Sequence, residues 1–374
     1  MTELRHRFLT GLWIVLFLFN WGSAQAERVT DLYAAEVPVA GHGAEARAAA
    51  IRKAFARSLA KVTGVRSLSG QVSSAKVLRS APRYVQQYRY RTLEIPQTDL
   101  TESDKPLPDL LLWVRFDERA VNRLLRDGGL SVWGGARPST LIWIGLEQGG
   151  RRSLYQPELE PQLRGALEDV ARERGLPILM PLMDLEDRSR LQVSDVWGAF
   201  EENIRAASDR YLPDVILVGR LRRRGGNDWV ADWTLYQPDI ANNWQTRGEH
   251  QTAVVSEGLH RAVDALAARF APRHVAKGTA KLRVRVSGLN HMADYVLVRD
   301  YLQSLVMIEQ LDLLMADAEK ISFIAKVQGG RDALERGILL GGVLEPVVTS
   351  DAVVSADATP PEQLDAESLD YRLR

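Results

Sequence analysis

Two Ser-x-x-Lys pairs, Ser58–Lys61 and Ser73–Lys76, have the spacing that some serine enzymes use for catalysis. On a helix this spacing places both side chains on one turn, so that the amine can activate the hydroxyl as a nucleophile. Enzymes of that kind also need Ser-Asp-Asn and Lys-Thr-Gly motifs. The sequence has neither, since residues 277–279 read Lys-Gly-Thr. We therefore interpret both pairs as helix-surface residues and predict no catalytic residue.

Motifs for cofactors and metals are equally incomplete. Residues 41–46 fit the G-x-G-x-x-A pattern of a dinucleotide turn, but Pro38 interrupts the preceding strand and no second strand ends in an acid where the ribose would need one. The scattered histidines form no His-x-x-x-His pair that could bind zinc. Asp184, Glu186 and Asp187 form an acidic loop without the glycine and bidentate glutamate of a calcium loop, which favours a solvated turn. The sequence thus predicts no cofactor and no metal.

An arginine cluster is the candidate binding feature. Arg220, Arg222, Arg223 and Arg224 precede a Gly225-Gly226 turn, which predicts four guanidinium groups at a hairpin tip. Such groups match phosphates and carboxylates, including those of anionic lipids or peptidoglycan stems. The alternative, which the sequence favours, is a solubilising tip that also protects an edge strand.

Tryptophans follow the same hairpin. Trp229 and Trp233 lie on one face of a predicted strand, and Trp244 lies on the next strand. Exposed, they would form a stacking platform for sugar rings. A helix with a matching apolar stripe follows at residues 254–270, which favours burial of these rings in a core.

The first 26 residues predict export. Met1–Arg7 is basic, Phe8–Trp21 is apolar, and Ala24-Gln25-Ala26 places small residues before Glu27, as in a cleavable signal peptide. The apolar run is shorter than the roughly 20 residues that a transmembrane helix needs. An uncleaved membrane anchor is the alternative. We expect cleavage between Ala26 and Glu27 and a periplasmic mature protein.

Composition narrows the partners of this mature chain. Its 348 residues carry 46 basic and 47 acidic side chains, so no general attraction to nucleic acid or anionic membranes is expected. The absence of cysteine excludes disulfides, thiol catalysis and lipid attachment at a cysteine. Contact with a membrane is expected only through an uncleaved signal segment.

Hydrophobic periodicity predicts an α+β, multi-domain chain with mixed β-sheets flanked by helices. An N-terminal α/β domain at 27–138 includes helices at Ala44–Thr63 and Ser74–Tyr88. A βαβαβββα domain at 139–276 includes a helix capped by Ser194. A βαββαβ order at 277–348 predicts a ferredoxin-like C-terminal unit, followed by a disordered tail at 349–374.

Three segments carry a family resemblance: Tyr84–Arg91 (YVQQYRYR), Leu111–Asp117 (LLWVRFD) and Leu130–Pro138 (LSVWGGARP). They resemble an uncharacterised proteobacterial family, domain-of-unknown-function family 2066, over most of the mature chain. The resemblance implies no activity and no catalytic residues. The middle element order is also similar to the TolB amino-terminal domain and to outer-membrane assembly lipoproteins, which begin with a lipidated cysteine that this chain lacks.

These observations favour an exported, non-enzymatic protein, an adaptor, scaffold or regulator that binds envelope proteins or peptidoglycan. Two alternatives stay open. One is an envelope hydrolase with acids on loops near Asp184–Asp187, and the other is a peptidoglycan-binding protein that uses the tryptophans or arginines.

The signal segment makes the first testable prediction. Ala26→Leu should block processing, because the peptidase accepts only small residues at that position. Amino-terminal sequencing should find Glu27 first in the wild type and Met1 retained in the variant. Wild-type protein that keeps Met1 would establish the anchor instead.

Overall fold

The computed structural model describes residues 29, 31–66, 74–92, 110–271, 279–317, 320–347 and 367–374. It contains mixed and antiparallel sheets flanked by helices in several domains, which confirms the predicted fold class. The predicted signal peptide lies outside the described residues. Within them, no helix is both long and apolar enough to span a bilayer. We use the predicted boundaries to name a first unit (29–138), a middle unit (139–271) and a third unit (279–374).

The first unit is an antiparallel sheet of order β1-β3-β2 with a long helix packed on one face. Its elements are β1 (Ala34–Pro38), α1 (Ala44–Thr63), α2 (Ser74–Arg79), β2 (Val85–Thr92), β3 (Leu110–Phe116) and α3 (Glu118–Asp127). Helix α1 has the predicted bounds, because buried Ile51, Phe55 and Leu59 recur at helical spacing. It ends at Gly64, whose φ of 69° suits glycine.

One prediction for this unit is wrong. The helix expected over Ser74–Tyr88 stops after α2, a 3-10 turn follows at Ala81–Tyr84, and β2 begins at Val85. Proline near the start of the 3-10 turn cannot continue the backbone hydrogen bonds of α2. The tyrosines, valine and threonine of β2 favour a strand, which pairs along β3.

The middle unit is a mixed sheet between two layers of helices. Its elements are β4 (Thr140–Gln148), β5 (Arg151–Leu154), α4 (Pro161–Arg174), β6 (Ile178–Leu179), α5 (Leu185–Arg190), α6 (Val193–Gly198), α7 (Glu201–Ser208), β7 (Val215–Gly225), β8 (Asp228–Tyr236), β9 (Ala241–Gly248) and α8 (Gln251–Phe270). The strand order is β5-β4-β7-β8-β9, with β6 also parallel to β4. Helices α4 and α8 cover one face, and α6 and α7 cover the other.

The helix predicted to begin at Ser194 differs in two ways. Gln192, and not Ser194, is the N-cap residue, and its backbone N–H donates to Asp195 Oδ2. The helix also breaks between α6 and α7, where Ala199 has a φ of 54°. Glycine at position 198 weakens the helix there, and the Phe200 ring packs over it.

Trp233 is a core residue, as its alternation with polar neighbours predicts. Its side chain is 1% exposed and lies between Gly219 of β7 and Gly258 of α8. Its Nε1 donates to Thr246 Oγ1 at 2.8 Å. Trp229 is also buried, and the half-buried Trp244 packs against the same core. These rings therefore do not form an exposed platform for sugars.

The third unit contains the predicted βαββαβ order and one additional strand. Its elements are β10 (Thr279–Ser287), α9 (Met292–Ser304), β11 (Ile308–Ala316), β12 (Lys320–Gln328), α10 (Gly330–Gly341), β13 (Leu344–Pro346) and β14 (Glu367–Leu373). The strand order is β11-β12-β10-β14-β13. Strand β14 is parallel to β10, and β13 pairs with β14 alone among the strands that the structure describes, at the edge of the sheet.

The prediction of a disordered tail from Thr349 is therefore wrong for residues 367–373. Leu369 and Tyr371 alternate with polar residues along β14, and both side chains are buried in the core of the third unit. The acidic composition of the preceding residues masked this short strand pattern. Residues 349–366 of the predicted tail lie outside the described residues.

Two helical glycines provide a matched test of the Trp233 packing. A Cβ at Gly258 would overlap the Trp233 indole, whereas a Cβ at Gly165 of α4 would meet no atom within 4 Å. Gly258→Ala should lower the free energy of unfolding by about 1–3 kcal/mol through overpacking. Gly165→Ala should raise it by up to about 1 kcal/mol through helix propensity. Denaturant unfolding of both variants measures this, and effects of the same sign would contradict the packing.

Candidate functional site: an arginine-lined cleft

The first and middle units are joined by a fully buried arginine. The side chain of Arg137 is 0% exposed and lies 4.2 Å from the centre of the Trp133 indole. Its nitrogens donate to five main-chain carbonyls, those of Lys61, Trp133, Gly134, Arg174 and Gly175. Burial lowers the pKa of Arg137 to about 9, so the guanidinium stays charged at neutral pH.

A second buried arginine extends this joint. Arg174, at the end of α4, donates to Gly64 O at 2.7 Å and to Asp264 Oδ1 at 2.6 Å. Its Nη1 also lies 3.1 Å from Nδ1 of His260 on α8. Burial and the charges of Arg66 and Arg174 lower the pKa of His260, which favours the neutral ring that can accept this hydrogen bond.

The third unit contacts the first unit through Val306, which follows α9 and packs against the first unit's core. A Cβ at Gly134 would lie 2.5 Å from Val306 Cγ2, so only glycine permits this approach. Beside this contact a cleft of about 1160 Å³ opens between the two units. One wall is formed by α3 and the end of β3, and the other by the end of α9 and the first half of β11.

The α3 wall carries a row of arginines. Arg119, Arg123 and Arg126 are spaced four and three residues apart, which places them on one face of the helix. Among the described residues, no carboxylate lies within ion-pair distance of these three guanidinium groups. Arg115 at the end of β3 extends the row and lies 3.5 Å from Asp31.

The opposite wall carries acids that are already paired. Asp300 forms an ion pair with Arg299 at 2.8 Å, and Glu309 forms one with Lys326 at 2.9 Å. The α3 wall also carries Glu118 and the N-cap residue Asp117, which accepts a hydrogen bond from Ala120 N. Among the described residues, the α3 arginines are the cleft cations without a carboxylate in ion-pair distance, and such guanidinium groups can bind anions.

A buried hydrogen bond fixes the base of α3. Tyr33 Oη donates to Asn122 Oδ1 at 2.7 Å, and Asn122 is buried. Burial, together with the charge of Glu118, raises the pKa of Tyr33 well above its usual range. The phenol is therefore a neutral hydrogen-bond donor at neutral pH, and its partner holds the arginine-bearing helix against β1 and β3.

The four arginines predicted at the hairpin tip do not converge there. Arg222 pairs with Asp232, and Arg220 points toward the carbonyl of Trp197 on the α6 side of the sheet. Arg223 lies on the opposite face, over Trp229. There it lines a smaller cavity of about 440 Å³ near the start of α8. Arg224 is exposed. Whether any of them binds an anion stays a prediction.

The acidic loop differs from the predicted solvated turn. Asp187 is buried and accepts hydrogen bonds from Met183 N and Tyr211 Oη. Arg210 Nη1 and Nη2 donate to the two carboxylate oxygens of Asp184 at 2.8 and 3.0 Å. Within the described ranges no group of residues could hold a metal ion. The loop is a rigid ion-pair cluster that braces α5 against the segment after α7.

The interpretation of the first Ser-x-x-Lys pair as helix-surface residues is wrong for Ser58, which is buried. Ser58 Oγ donates to Leu32 O at 3.0 Å, and Lys61 Nζ donates to Ala34 O at 3.1 Å. Both side chains thus tie α1 to the segment that contains β1. Ser73 of the second pair lies outside the described residues. The α3 arginines were not singled out from the sequence, although their helical spacing is visible there after Asp117, the N-cap residue, which accepts from Ala120 N at 2.7 Å.

A family model matches the first unit. Residues 26–134 match a family described as Domain of unknown function (DUF8605), and this segment contains the α3 wall of the cleft. No curated protein matches the chain. A solved structure that is similar, the LpoB C-terminal domain from Salmonella enterica, is 16% identical; the match covers 34% of this chain and 90% of that chain, with a TM-score of 0.22. The resemblance to a family of unknown function is confirmed in this general form, and family 2066 itself stays a prediction.

The ion-pair cluster of the middle unit makes a prediction about pH. Hydrogen bonds from Arg210 and from the Asp187 backbone hold the pKa of Asp184 at about 2. Because folding lowers this pKa, the stabilisation is present above the ordinary value and is lost as the pH falls through about 4 toward 2. Arg210→Gln should return the pKa of Asp184 toward its ordinary value, as a carboxyl-carbon NMR titration would show. The loss of stability between about pH 4 and pH 2 should then be smaller than in the wild type.

Arg190→Gln is the matched control, because Arg190 pairs with Glu186 and not with Asp184. It should leave the titration of Asp184 unchanged. An Asp184 carboxyl that titrates at the same pH with and without Arg210 would show that the ion pair does not form in solution.

Proposed function

We propose that this chain is an exported, non-enzymatic binding protein of the cell envelope that holds an acidic segment of a partner protein in the cleft. The observation that carries the proposal is the row of α3 arginines without carboxylate partners among the described residues, facing acids that are already paired. Location in the envelope rests on the predicted signal peptide.

The size of the cleft supports a macromolecular ligand. A small-molecule pocket typically has a volume of about 300–1,000 Å³ and encloses most of its ligand. This cleft is larger, at about 1160 Å³, and is formed by two separate units. Charged groups arranged along one wall of an open cleft suit a chain with repeated carboxylates, because each added pair strengthens binding and guides encounter.

The two alternative functions have weaker support. The acids near Asp184 are engaged by Arg210 and Tyr211, which leaves a hydrolase without the pair of free carboxylates that it would use. Burial of Trp233 and Trp229 removes the stacking surface of a peptidoglycan-binding function. The hairpin arginines, its other basis, do not converge on one site. The adaptor or regulator role is therefore the function that we propose.

Two matched double variants test the cleft. Arg119→Gln/Arg123→Gln removes two exposed charges from α3, and Arg223→Gln/Arg224→Gln removes two exposed charges from the hairpin tip. A labelled poly-glutamate peptide should bind the wild type more weakly as salt rises. The α3 variant should lose about tenfold in affinity, since two exposed charge pairs contribute up to about 1 kcal/mol each, and the tip variant should bind as the wild type does.

Fluorescence anisotropy measures both affinities at low and high salt. Equal losses in the two variants would mean that the peptide senses only overall charge, which would contradict a site in the cleft. Loss confined to the tip variant would move the anion site to the hairpin.

A further inference from the structure

Strand β11 is a long edge strand whose pairing with β12 shifts register between Ile308 and Gln310 and between Leu313 and Met315. It pairs with β12 on one side, and no strand of the described chain pairs with its other side. It is nine residues long. Near its end Leu313, Leu314 and Met315 are 50%, 45% and 56% exposed. Proteins usually blunt a long edge or cover it, because its free N–H and C=O groups recruit another strand.

The first half of this edge lines the cleft. Ile308, Glu309, Gln310 and Leu311 form the wall opposite α3. Within the described residues, an edge strand without a second pairing partner and a row of guanidinium groups without carboxylate partners therefore line the same cavity. An apolar patch, Leu313–Met315, continues along the same strand.

We infer that the ligand of the cleft is an extended polypeptide segment of a partner protein that adds to β11 as a further strand, with carboxylates at alternate positions facing α3. This inference rests on the proposed function. In a strand, residues two apart share a face and lie about 6.8 Å from each other. Residues four apart on a helix are separated by about 6 Å along its axis. Neighbouring acids on one face of the segment can therefore meet Arg119 and Arg123.

A second copy of this chain fits the edge less well. The central residue of β11 is Asp312, so a symmetric antiparallel pair of β11 strands would place Asp312 against its own copy. Like charges directly opposite each other destabilise a strand pair. A partner strand with apolar residues beyond its acids instead covers Leu313–Met315 and brings negative charge only to the α3 wall.

The test uses the full chain and two labelled peptides with the same alternating glutamate and valine sequence. In one peptide, alternate backbone nitrogens on one edge are methylated, which removes strand hydrogen bonds and keeps the charge. The unmodified peptide should bind at least tenfold more tightly, because several backbone hydrogen bonds depend on those N–H groups. Inorganic polyphosphate, an anion without amides, should compete only weakly.

Two leucines of similar exposure test whether the added strand binds along β11. Leu314 on β11 and Leu339 on α10 are similarly exposed, at 45% and 55%. Leu314→Ser should weaken binding of the unmodified peptide severalfold, and Leu339→Ser should not. Sedimentation should show the same oligomeric state for the wild type and Leu314→Ser.

Three other outcomes would contradict the inference, the proposed function or both. Equal binding of both peptides, still sensitive to Arg119→Gln/Arg123→Gln, would overturn the added strand and keep the proposed function. Failure of both peptides and of polyphosphate to bind would overturn both. A dimer that Leu314→Ser dissociates would show that a second copy covers β11.

Discussion

The architecture depends on the interaction of one guanidinium group with the ends of two helices. The carbonyls that Arg137 binds include Lys61 O in the last turn of α1 and Arg174 O at the end of α4. The last carbonyls of a helix have no partner within it and carry partial negative charge. Arg137 satisfies such carbonyls in two helices of different units, so a buried cation is tolerated without a carboxylate partner.

The contacts of Arg137 show that residues outside the matched segment, 26–134, contribute to its structure. The match to the family of unknown function ends at residue 134, and the guanidinium that closes α1 comes three residues later, from Arg137. Trp133, inside the matched segment, belongs to the apolar core of the middle unit. The matched segment therefore depends for its orientation, and with it for one wall of the cleft, on residues that follow it.

Local patterns predicted much of the fold. Helix α1 has the predicted bounds, because a long apolar stripe dominates it. Strand β2 was missed because tyrosine, glutamine and arginine are compatible with a helix until pairing with β3 decides between the two. The break at Ala199 also depends on tertiary packing, since the sequence Trp197 to Ile204 keeps helical spacing across it.

The candidate site was less predictable than the fold. Arginine spacing on α3 is visible in the sequence, but its opposite wall begins at Asp300, far along the chain. Whether a charge is free or paired depends on such distant neighbours, as Arg222 and Asp232 show. Arg137 gave no signal at all, because its partners are backbone carbonyls, which every residue has.

Because of the position of β14, the sheet of the third unit cannot form in the order in which its strands occur along the chain. Strand β13 precedes β14, yet among the described strands it pairs with β14 alone, and 20 residues separate the two elements. Strand β14 must therefore pair with β10 before β13 can pair at the edge of the sheet. Long-range parallel pairing is intrinsically slow. A chain that is synthesised from its amino terminus thus exposes an incomplete sheet until β14 has emerged, and chaperones or proteases would meet it in this interval.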